Sequence, residues 1–383
     1  MAQLTGITWD HTRGYLPMLA TAQRFHELHP DVEIVWHKRS LKAFGDQPLQ
    51  QLVSNFDLLV IDHPFVGYAA AHNVLLPLDA HLPASFLADQ AANSVGASHP
   101  SYTYGGHHWA LAIDAATPVS CWRPDRLAAP PETWEALLDL ARAGRVAVPG
   151  APIDSLMHYY MLCIALGDAP FQRADRHIDP ETGAGALELL RELLLTCGSA
   201  NLLCNPIQTY EALLASDALA YCPFAYGYSN YARAGYAAHA LRFGGLVTYA
   251  GRQLRSVLGG TGLAIAANCT DIPTALAYAE FVAEAATQRG LYLQAGGQPG
   301  HRAAWEDEAA NVACGGFFRD TLPTLDAAFL RPRYDGYMHF QDEAQQLVHA
   351  YLCDGGDARA AVAAVERLYQ STIDPTILSA NPR

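Results

Sequence analysis

The sequence lacks any long apolar run and is poor in charged side chains. No stretch of 18 or more apolar residues occurs in the 383-residue chain, so we expect no membrane insertion. Charged residues make up 16% of the chain, and 24 Lys and Arg stand against 38 Asp and Glu, which gives a net charge of −14. This balance argues against nucleic acid and anionic membranes as partners, because both attract basic surfaces. A few local arginines could still hold an anionic ligand.

Common motifs of catalysis, metal binding and export are also missing. There is no HExxH, no GxSxG and no EF-hand loop, and the run GGTG at 259–262 leads into a strand without a P-loop lysine. The start, MAQLTGITWDH, has no basic segment, apolar core and cleavage site of a signal peptide. We therefore expect no catalytic residue, no metal ligand and no cofactor. We also expect either a removed export signal or a cytoplasmic protein.

None of the eight cysteines forms a Cys-x-x-Cys pair, and most stand inside apolar runs. Scattered thiols of this kind are typical of small core residues and suit a reducing compartment better than a disulfide framework. Cysteine usage therefore favours a cytoplasmic location. The residues concerned are Cys121, Cys163, Cys197, Cys204, Cys222, Cys269, Cys314 and Cys353.

Strand-like and helix-like segments alternate along the first part of the chain. LTGITWDH, DVEIVWHKR and FDLLVIDHP each predict a strand, and helical spacing separates them. This alternation predicts an α/β fold with a parallel sheet, in which ligands sit at the carboxyl ends of the strands. Further along, GRVAVPG predicts another strand, and PPETWEALLDLARAG predicts a helix capped by Thr133 and ended by Gly144. At 383 residues the chain is long enough for two lobes.

The run after the first predicted strand is the most informative candidate site. It combines a flat aromatic ring, a carboxylate, an imidazole and a guanidinium, which together suit a ligand with hydroxyls. Arg13 could instead hold a carboxylate or phosphate. The alternative is a helix cap by Asp10 or Thr12, with Trp9 in the core. The residues that we expect to bind ligand here are Trp9, Asp10, His11, Arg13 and Tyr15.

Further candidates follow other predicted strands or stand in polar turns. Asp62 and His63 follow the third strand, where Asp62 could equally cap a helix. A Tyr-rich loop suits stacking and hydrogen bonding, although tyrosines also pack at lobe interfaces. The Gly-rich turn suits close backbone approach to a ligand or hinge freedom. The remaining predicted ligand-binding residues are Asp114, Tyr226, Tyr228, Asn230, Gly260, Thr261 and Arg302.

Several segments resemble, in the same order, the family 1 extracellular solute-binding proteins. These are FDLLVIDHPFVGYAAAHNVLLPLD, YGGHHWALAIDAATPVSCWRPDRL, PPETWEALLDLAR and LGGTGLAIAANCTDIPTALAYAEFVAEAATQRGLYLQAGGQPGHRAAWED. The chain has Cys121-Trp122-Arg123 where the family often has Tyr-Asn-Lys. TWDHTRGY and YDGYMHFQ resemble a subgroup that often lacks an obvious export signal.

The resemblance implies a two-lobed periplasmic-binding-protein-like fold of type II with discontinuous lobes. One lobe would hold residues 1–114 and 258–312, the other 118–254 and 315–383, with hinge strands near 114–120 and 249–260. Such a protein closes around a small ligand by hinge motion. The resemblance implies a carbohydrate or polyol as ligand, a partner ABC permease and a periplasmic location. A small carboxylate is the second ligand class that we expect, and we expect the protein to be a monomer.

An alternative function uses the same scaffold in the cytoplasm. The missing export signal and the eight cysteines motivate a sensor or an enzyme that would use Asp10, His11, Asp62 and His63. Fold alone does not decide between these functions.

Overall fold

A computed structural model describes residues 2–173 and 176–373. Within these ranges no helix combines the length and the hydrophobicity needed to span a bilayer. The strands are β1 (Ala2–Trp9), β2 (Val32–Arg39), β3 (Leu58–Ile61), β4 (Thr103–Tyr104), β5 (His107–His108), β6 (Leu111–Ala116), β7 (Pro118–Trp122), β8 (Tyr221–Tyr226), β9 (Arg242–Gly244), β10 (Thr248–Tyr249), β11 (Arg252–Gln253) and β12 (Gly259–Ile265). The α-helices are α1 (Thr12–Leu28), α2 (Leu41–Asp46), α3 (Leu49–Val53), α4 (Val66–His72), α5 (Ala84–Ala92), α6 (Ser98–Ser101), α7 (Trp134–Arg142), α8 (Pro152–Leu166), α9 (Pro180–Cys197), α10 (Pro206–Ala215), α11 (Ile272–Ala283), α12 (Ala285–Thr287), α13 (Arg302–Trp305), α14 (Glu308–Ala313), α15 (Phe317–Asp326), α16 (Tyr337–Asp354) and α17 (Ala358–Thr372).

The chain divides into two compact units, each built from separate segments. Unit 1 comprises the described residues of Met1–Ala116, Tyr228–Asn230 and Leu258–Cys314. Unit 2 comprises those of Thr117–Gly227, Tyr231–Val257 and Gly315–Arg383. The short segment Tyr228–Asn230 belongs to unit 1 because Ser229 and Asn230 hydrogen-bond to Gln298 and Gly296.

Unit 1 is built on a five-stranded sheet in the order β2-β1-β3-β12-β6. Strands β1, β2 and β3 run parallel, as the alternation of strands and helices predicts. Strand β12 runs antiparallel to both of its neighbours, β3 and β6, so the sheet is mixed. The expectation of a parallel sheet is therefore wrong for the pairings of β12. Strand β12 enters the sheet from a segment far along the chain, so the local alternation of strands and helices does not determine its direction.

Helix α1 begins where the first strand ends. The His11 side chain accepts a hydrogen bond from the Arg13 amide at 3.0 Å, which satisfies one of the free N–H groups of the first turn. The helix ends at Leu28, just before Pro30, and packs Met18 and Phe25 into the core of unit 1. This arrangement fixes the run from Trp9 to Tyr15 at the carboxyl edge of the sheet.

Unit 2 combines a three-stranded antiparallel sheet, ordered β8-β7-β9, with packed helices. Helix α7 is capped as expected, since Thr133 accepts from the Ala136 amide at 3.2 Å and Gly144 adopts a left-handed φ of 71° after it. The predicted strand in GRVAVPG is wrong, because the segment makes only a single bridge between Val146 and Tyr221.

Candidate functional site

Arg13 and Asp114 form a buried ion pair in unit 1, although 101 residues separate them in the chain. The Arg13 Nε atom donates to Asp114 Oδ2 at 2.8 Å, and Nη2 donates to Oδ1. Both side chains are at most 4% exposed. Burial disfavours the charge on Arg13, but the attraction of Asp114 still leaves the pKa of Arg13 above its ordinary value. Each charge therefore has an internal partner.

Aromatic rings cover this ion pair from within the same unit. The Arg13 guanidinium carbon lies 4.7 Å from the centroid of the Tyr228 ring, which suits a cation–π contact. The His11 ring meets Tyr228 edge-on at 4.7 Å. Burial, aided by the nearby charge of Arg13, lowers the pKa of His11 to about 4, so the imidazole is neutral at physiological pH. The structure thus brings together four residues that the sequence predicts for a ligand site.

Polar groups with unmet hydrogen-bonding capacity lie on neighbouring segments of unit 1. Asn230 donates through Nδ2 to the Gly296 carbonyl at 3.0 Å, while no described residue hydrogen-bonds to its Oδ1. The hydroxyls of Ser229 and Thr261 are likewise buried with no partner among the described residues. Thr261 is the register partner of Asp114, and Ser229 and Asn230 directly follow Tyr228, so these groups stand on segments next to the ion pair.

Trp9 lies in the hydrophobic core of unit 1 and is 3% exposed. A Cβ at Gly14 would come within 2.3 Å of the indole, so the backbone of α1 lies directly against the ring. The Phe44 ring lies 5.3 Å away, tilted by 46°. With these neighbours on the indole, the structure favours the core alternative over stacking of Trp9 on a ligand.

The side chains of Asp10, Asp62 and Tyr15 also contact other residues of unit 1. The Asp10 carboxylate pairs with Lys38 at 2.9 Å, but both side chains are about half exposed, so the pair contributes little stability. Asp62 caps a short 3₁₀ turn by accepting from the His63 amide at 2.8 Å, which is the alternative role that the sequence left open. The Lys38 ammonium lies 5.3 Å from the centroid of the Tyr15 ring.

The remaining predicted residues do not converge on one point. Gly260 has a φ of 103°, and a Cβ there would come within 2.3 Å of the Asp114 carbonyl oxygen, so close approach of β6 accounts for this glycine. Arg302 donates through Nε to the Ser94 carbonyl at 3.0 Å. Tyr226 belongs to unit 2, where its carbonyl accepts from the Tyr210 hydroxyl at 2.7 Å. These three contacts join parts of the protein to each other and do not gather the residues at one ligand site.

Sequence reasoning missed a polar cluster in unit 2 around the first half of α8. Asp154 is 3% exposed, and burial raises its pKa to about 8. One helical turn later, His158 packs its ring 4.5 Å from Phe224, and burial lowers its pKa to about 3. The Trp134 ring stacks on Phe224 at 6.5 Å. The signal available in the sequence was an aspartate followed four residues later by a histidine within an otherwise apolar helix.

Arg39 is a second residue that sequence reasoning missed. It ends strand β2 at the same edge as Trp9, which is its register partner on β1. The criterion that singled out the polar residues after β1 and β3 applies equally to the residue that ends β2.

The sequence profile described as "Bacterial extracellular solute-binding protein" matches residues 20–310. None of the curated proteins matches the chain significantly.

Solved structures show the same fold at low sequence identity. Maltose-bound MalE3 of T. maritima is 16% identical, with a TM-score of 0.85 over 97% of this chain and 100% of that one. The ribitol-bound solute-binding protein of an ABC transporter from Agrobacterium radiobacter K84 is 14% identical, with a TM-score of 0.81 over 97% and 98%. An α-D-tagatose-bound counterpart from Thermotoga lettingae TMO is 18% identical, with a TM-score of 0.81 over 97% and 100%.

These likenesses confirm the predicted α/β solute-binding-protein fold. Because the profile match covers well over half of the chain, it goes beyond fold and identifies the family. The chain belongs to the bacterial extracellular solute-binding proteins.

Proposed function

We propose that the protein binds a small polar solute, with a carbohydrate or polyol first and a small carboxylate second, and presents it to an ABC permease. The observation that carries this proposal is the family match over residues 20–310. The solved relatives named above bind maltose, ribitol and α-D-tagatose, which are all rich in hydroxyls. We further propose that the two units are lobes, hinged near 114–120 and 249–260, that close on the ligand.

The chemistry of unit 1 supports a ligand with hydroxyls. The Asn230 Oδ1 atom can accept a hydrogen bond, and the hydroxyls of Ser229 and Thr261 can both donate and accept. A sugar or polyol hydroxyl also does both, so it can match such a set without carrying a charge. Leaving buried polar groups without partners costs free energy, which favours a ligand or water at these atoms. The Arg13–Asp114 pair would hold these three side chains in position, and they rather than the ion pair would contact the ligand.

The groups on which the enzymatic alternative depends make local contacts, including His63, whose Nδ1 atom lies 3.1 Å from Asp62 Oδ1. Asp10 pairs with Lys38, Asp62 caps a turn, and the His11 ring caps α1 through Nδ1. A general base near neutral pH needs a matching pKa, whereas that of His11 lies near 4.

A thermal-shift screen against sugars, polyols, carboxylic acids and amines tests the proposal. A specific ligand at 100 times its dissociation constant adds about 2.7 kcal/mol to the free energy of unfolding. We expect a stabilising compound among the sugars, polyols or acids. Stabilisation by amines alone would contradict the proposed ligand class.

A further inference from the structure

Arg39 is a buried cation whose hydrogen-bonding capacity is only partly used. Its side chain is buried, with 8% of the residue exposed. The Nη2 atom donates to the Val60 carbonyl at 3.1 Å. No described residue accepts a hydrogen bond from Nε or Nη1. Arg39 therefore presents donors that the protein itself leaves unmatched.

The position of Arg39 is the carboxyl end of the three parallel strands. It ends β2, pairs in register with Trp9 of β1, and reaches past β1 to the carbonyl of Val60 on β3. Register partners in a parallel pair point to the same face, so the side chains of Trp9 and Arg39 lie side by side. In open α/β sheets, ligands bind at this end of the strands.

Trp9 also carries an unmatched hydrogen-bond donor at this point. The Trp9 Nε1 atom is buried without a partner among the described residues. Phe44 joins the two side chains, with its ring 5.3 Å from that of Trp9 and 5.2 Å from the guanidinium carbon of Arg39. The unmatched polar atoms of Trp9 and Arg39 are thus all N–H donors, which favours a hydrogen-bond acceptor as their partner.

The lack of a counter-ion for Arg39 also favours an anionic group as its partner. Among the acidic side chains that the structure describes, none forms an ion pair with Arg39, whereas the buried Arg13 and Arg123 pair with Asp114 and Asp125. Burial, with no compensating anion, lowers the pKa of Arg39 to about 10. A buried charge without a counter-ion is costly, and a cation–π contact with Phe44 offsets only part of that cost.

We propose that Arg39, assisted by the Trp9 indole N–H, binds the carboxylate of the ligand, which is therefore an acidic sugar or polyol such as an aldonate or uronate. This assignment rests on the proposed function and narrows its ligand class. A carboxylate suits a single guanidinium, because it accepts charge-assisted hydrogen bonds and its one negative charge balances the charge of the arginine. A phosphate dianion would leave one charge uncompensated, since the nearby Lys38 already pairs with Asp10.

The first test measures stability without ligand. Arg39→Met keeps a long side chain at this position and removes the unpaired charge, so its melting temperature should lie within about 3 °C of wild type or above it. Arg13→Met is the matched control and should melt well below wild type, because it leaves Asp114 buried without its partner. A loss of more than about 3 °C in Arg39→Met would show that the guanidinium serves the fold, and would overturn the proposal.

The second test compares ligands that differ only in the carboxylate. Calorimetric titration would use ribonate against ribitol, glucuronate against glucose, and glucose 6-phosphate as the phosphate probe. Wild type should bind one acid at least about tenfold more tightly than its neutral counterpart. Arg39→Met should lose that preference, whereas Arg24→Met, which removes an exposed arginine of the same unit, should keep it.

The outcomes separate this inference from the proposed function. Equal affinity for acid and neutral partner, or the same preference in Arg39→Met, would overturn the carboxylate assignment and leave the proposed function standing. Tightest binding of glucose 6-phosphate would replace carboxylate by phosphate and also overturn it. Binding of no sugar, polyol or acid would overturn both.

Discussion

At the scale of single residues, the Arg13–Asp114 pair ties the start of α1 to β6 across 101 residues of sequence. Removing one partner leaves the other charge buried and uncompensated, which typically costs about 3–5 kcal/mol. We therefore expect Arg13→Ala to lower the free energy of unfolding by about that amount, measured by urea denaturation without ligand. Arg24→Ala, at an exposed pair with Glu27, should change it by less than about 1 kcal/mol.

The double variant Arg13→Ala/Asp114→Ala separates the pair from its surroundings. If the two charges stabilise each other, the loss in the double variant is smaller than the sum of the two single losses. Additive losses would contradict the ion pair as the reason for the effect of Arg13.

Asp154 makes stability depend on pH. Its pKa is raised from 3.8 to about 8 by burial, so between these values the folded state binds a proton that the unfolded state has released. Stability therefore falls as pH rises through that window, by at most about 4 kcal/mol from pH 5 to pH 8. Asp154→Asn removes this dependence, so its stability relative to wild type should rise from pH 5 to pH 8 in parallel denaturation curves. A difference that stays constant with pH would contradict a protonated Asp154.

Sequence reasoning at this scale identified residue types better than roles. It singled out His11, Arg13, Asp114 and Tyr228, which the fold gathers at one place. It did not predict that Arg13 and Asp114 neutralise each other, because their pairing depends on helix α1 and strand β6, which meet only in the folded unit. The position of Arg39 at the end of β2 was a signal in the sequence, but its unmatched donors become evident only when its neighbours are known.

At the scale of elements, the contact between β1 and α1 depends on a glycine. A Cβ at Gly14 would lie 2.3 Å from the Trp9 ring, and neither the indole nor the helix backbone can move away without disturbing the core. Gly14→Ala should therefore destabilise the protein by about 1–3 kcal/mol, measured by thermal or urea unfolding.

Gly290→Ala is the matched control for Gly14→Ala. Gly290 also lies in a helical segment, and a Cβ there would meet no atom within 4 Å. Alanine should leave stability unchanged or raise it by up to about 1 kcal/mol. Equal losses in the two variants would show that helix geometry, rather than the Trp9 contact, explains the effect.

Local patterns predicted the elements well where caps and periodicity agreed. Helix α7 begins after Thr133 and ends before Gly144, as its cap and its stop residue indicate. The direction of β12 was outside the reach of such patterns, because strand direction is decided by how distant segments meet. The segment GRVAVPG has the composition of a strand but pairs at only one residue, Val146.

At the scale of the whole molecule, the cysteines give a prediction that does not depend on the ligand. None of the eight, which all lie within the described residues, forms a disulfide; five of them are buried, and only Cys353 is exposed. Buried thiols are poor nucleophiles because burial disfavours the thiolate. Thiol titration of native protein should therefore find about one rapidly reacting group, and denatured protein should show all eight. Disulfides in protein isolated from its native host would contradict the expected reducing compartment.

The central claim is that the protein binds a small polar solute and leaves it unchanged. Calorimetric titration with sugars, polyols and their acids, followed by recovery of the ligand, tests this claim most directly. We predict saturation by at least one compound, with one site per chain, a dissociation constant below about 1 mM and chemically unaltered ligand after release. No saturation by any compound up to about 1 mM, or conversion of the bound compound into a product, would contradict it.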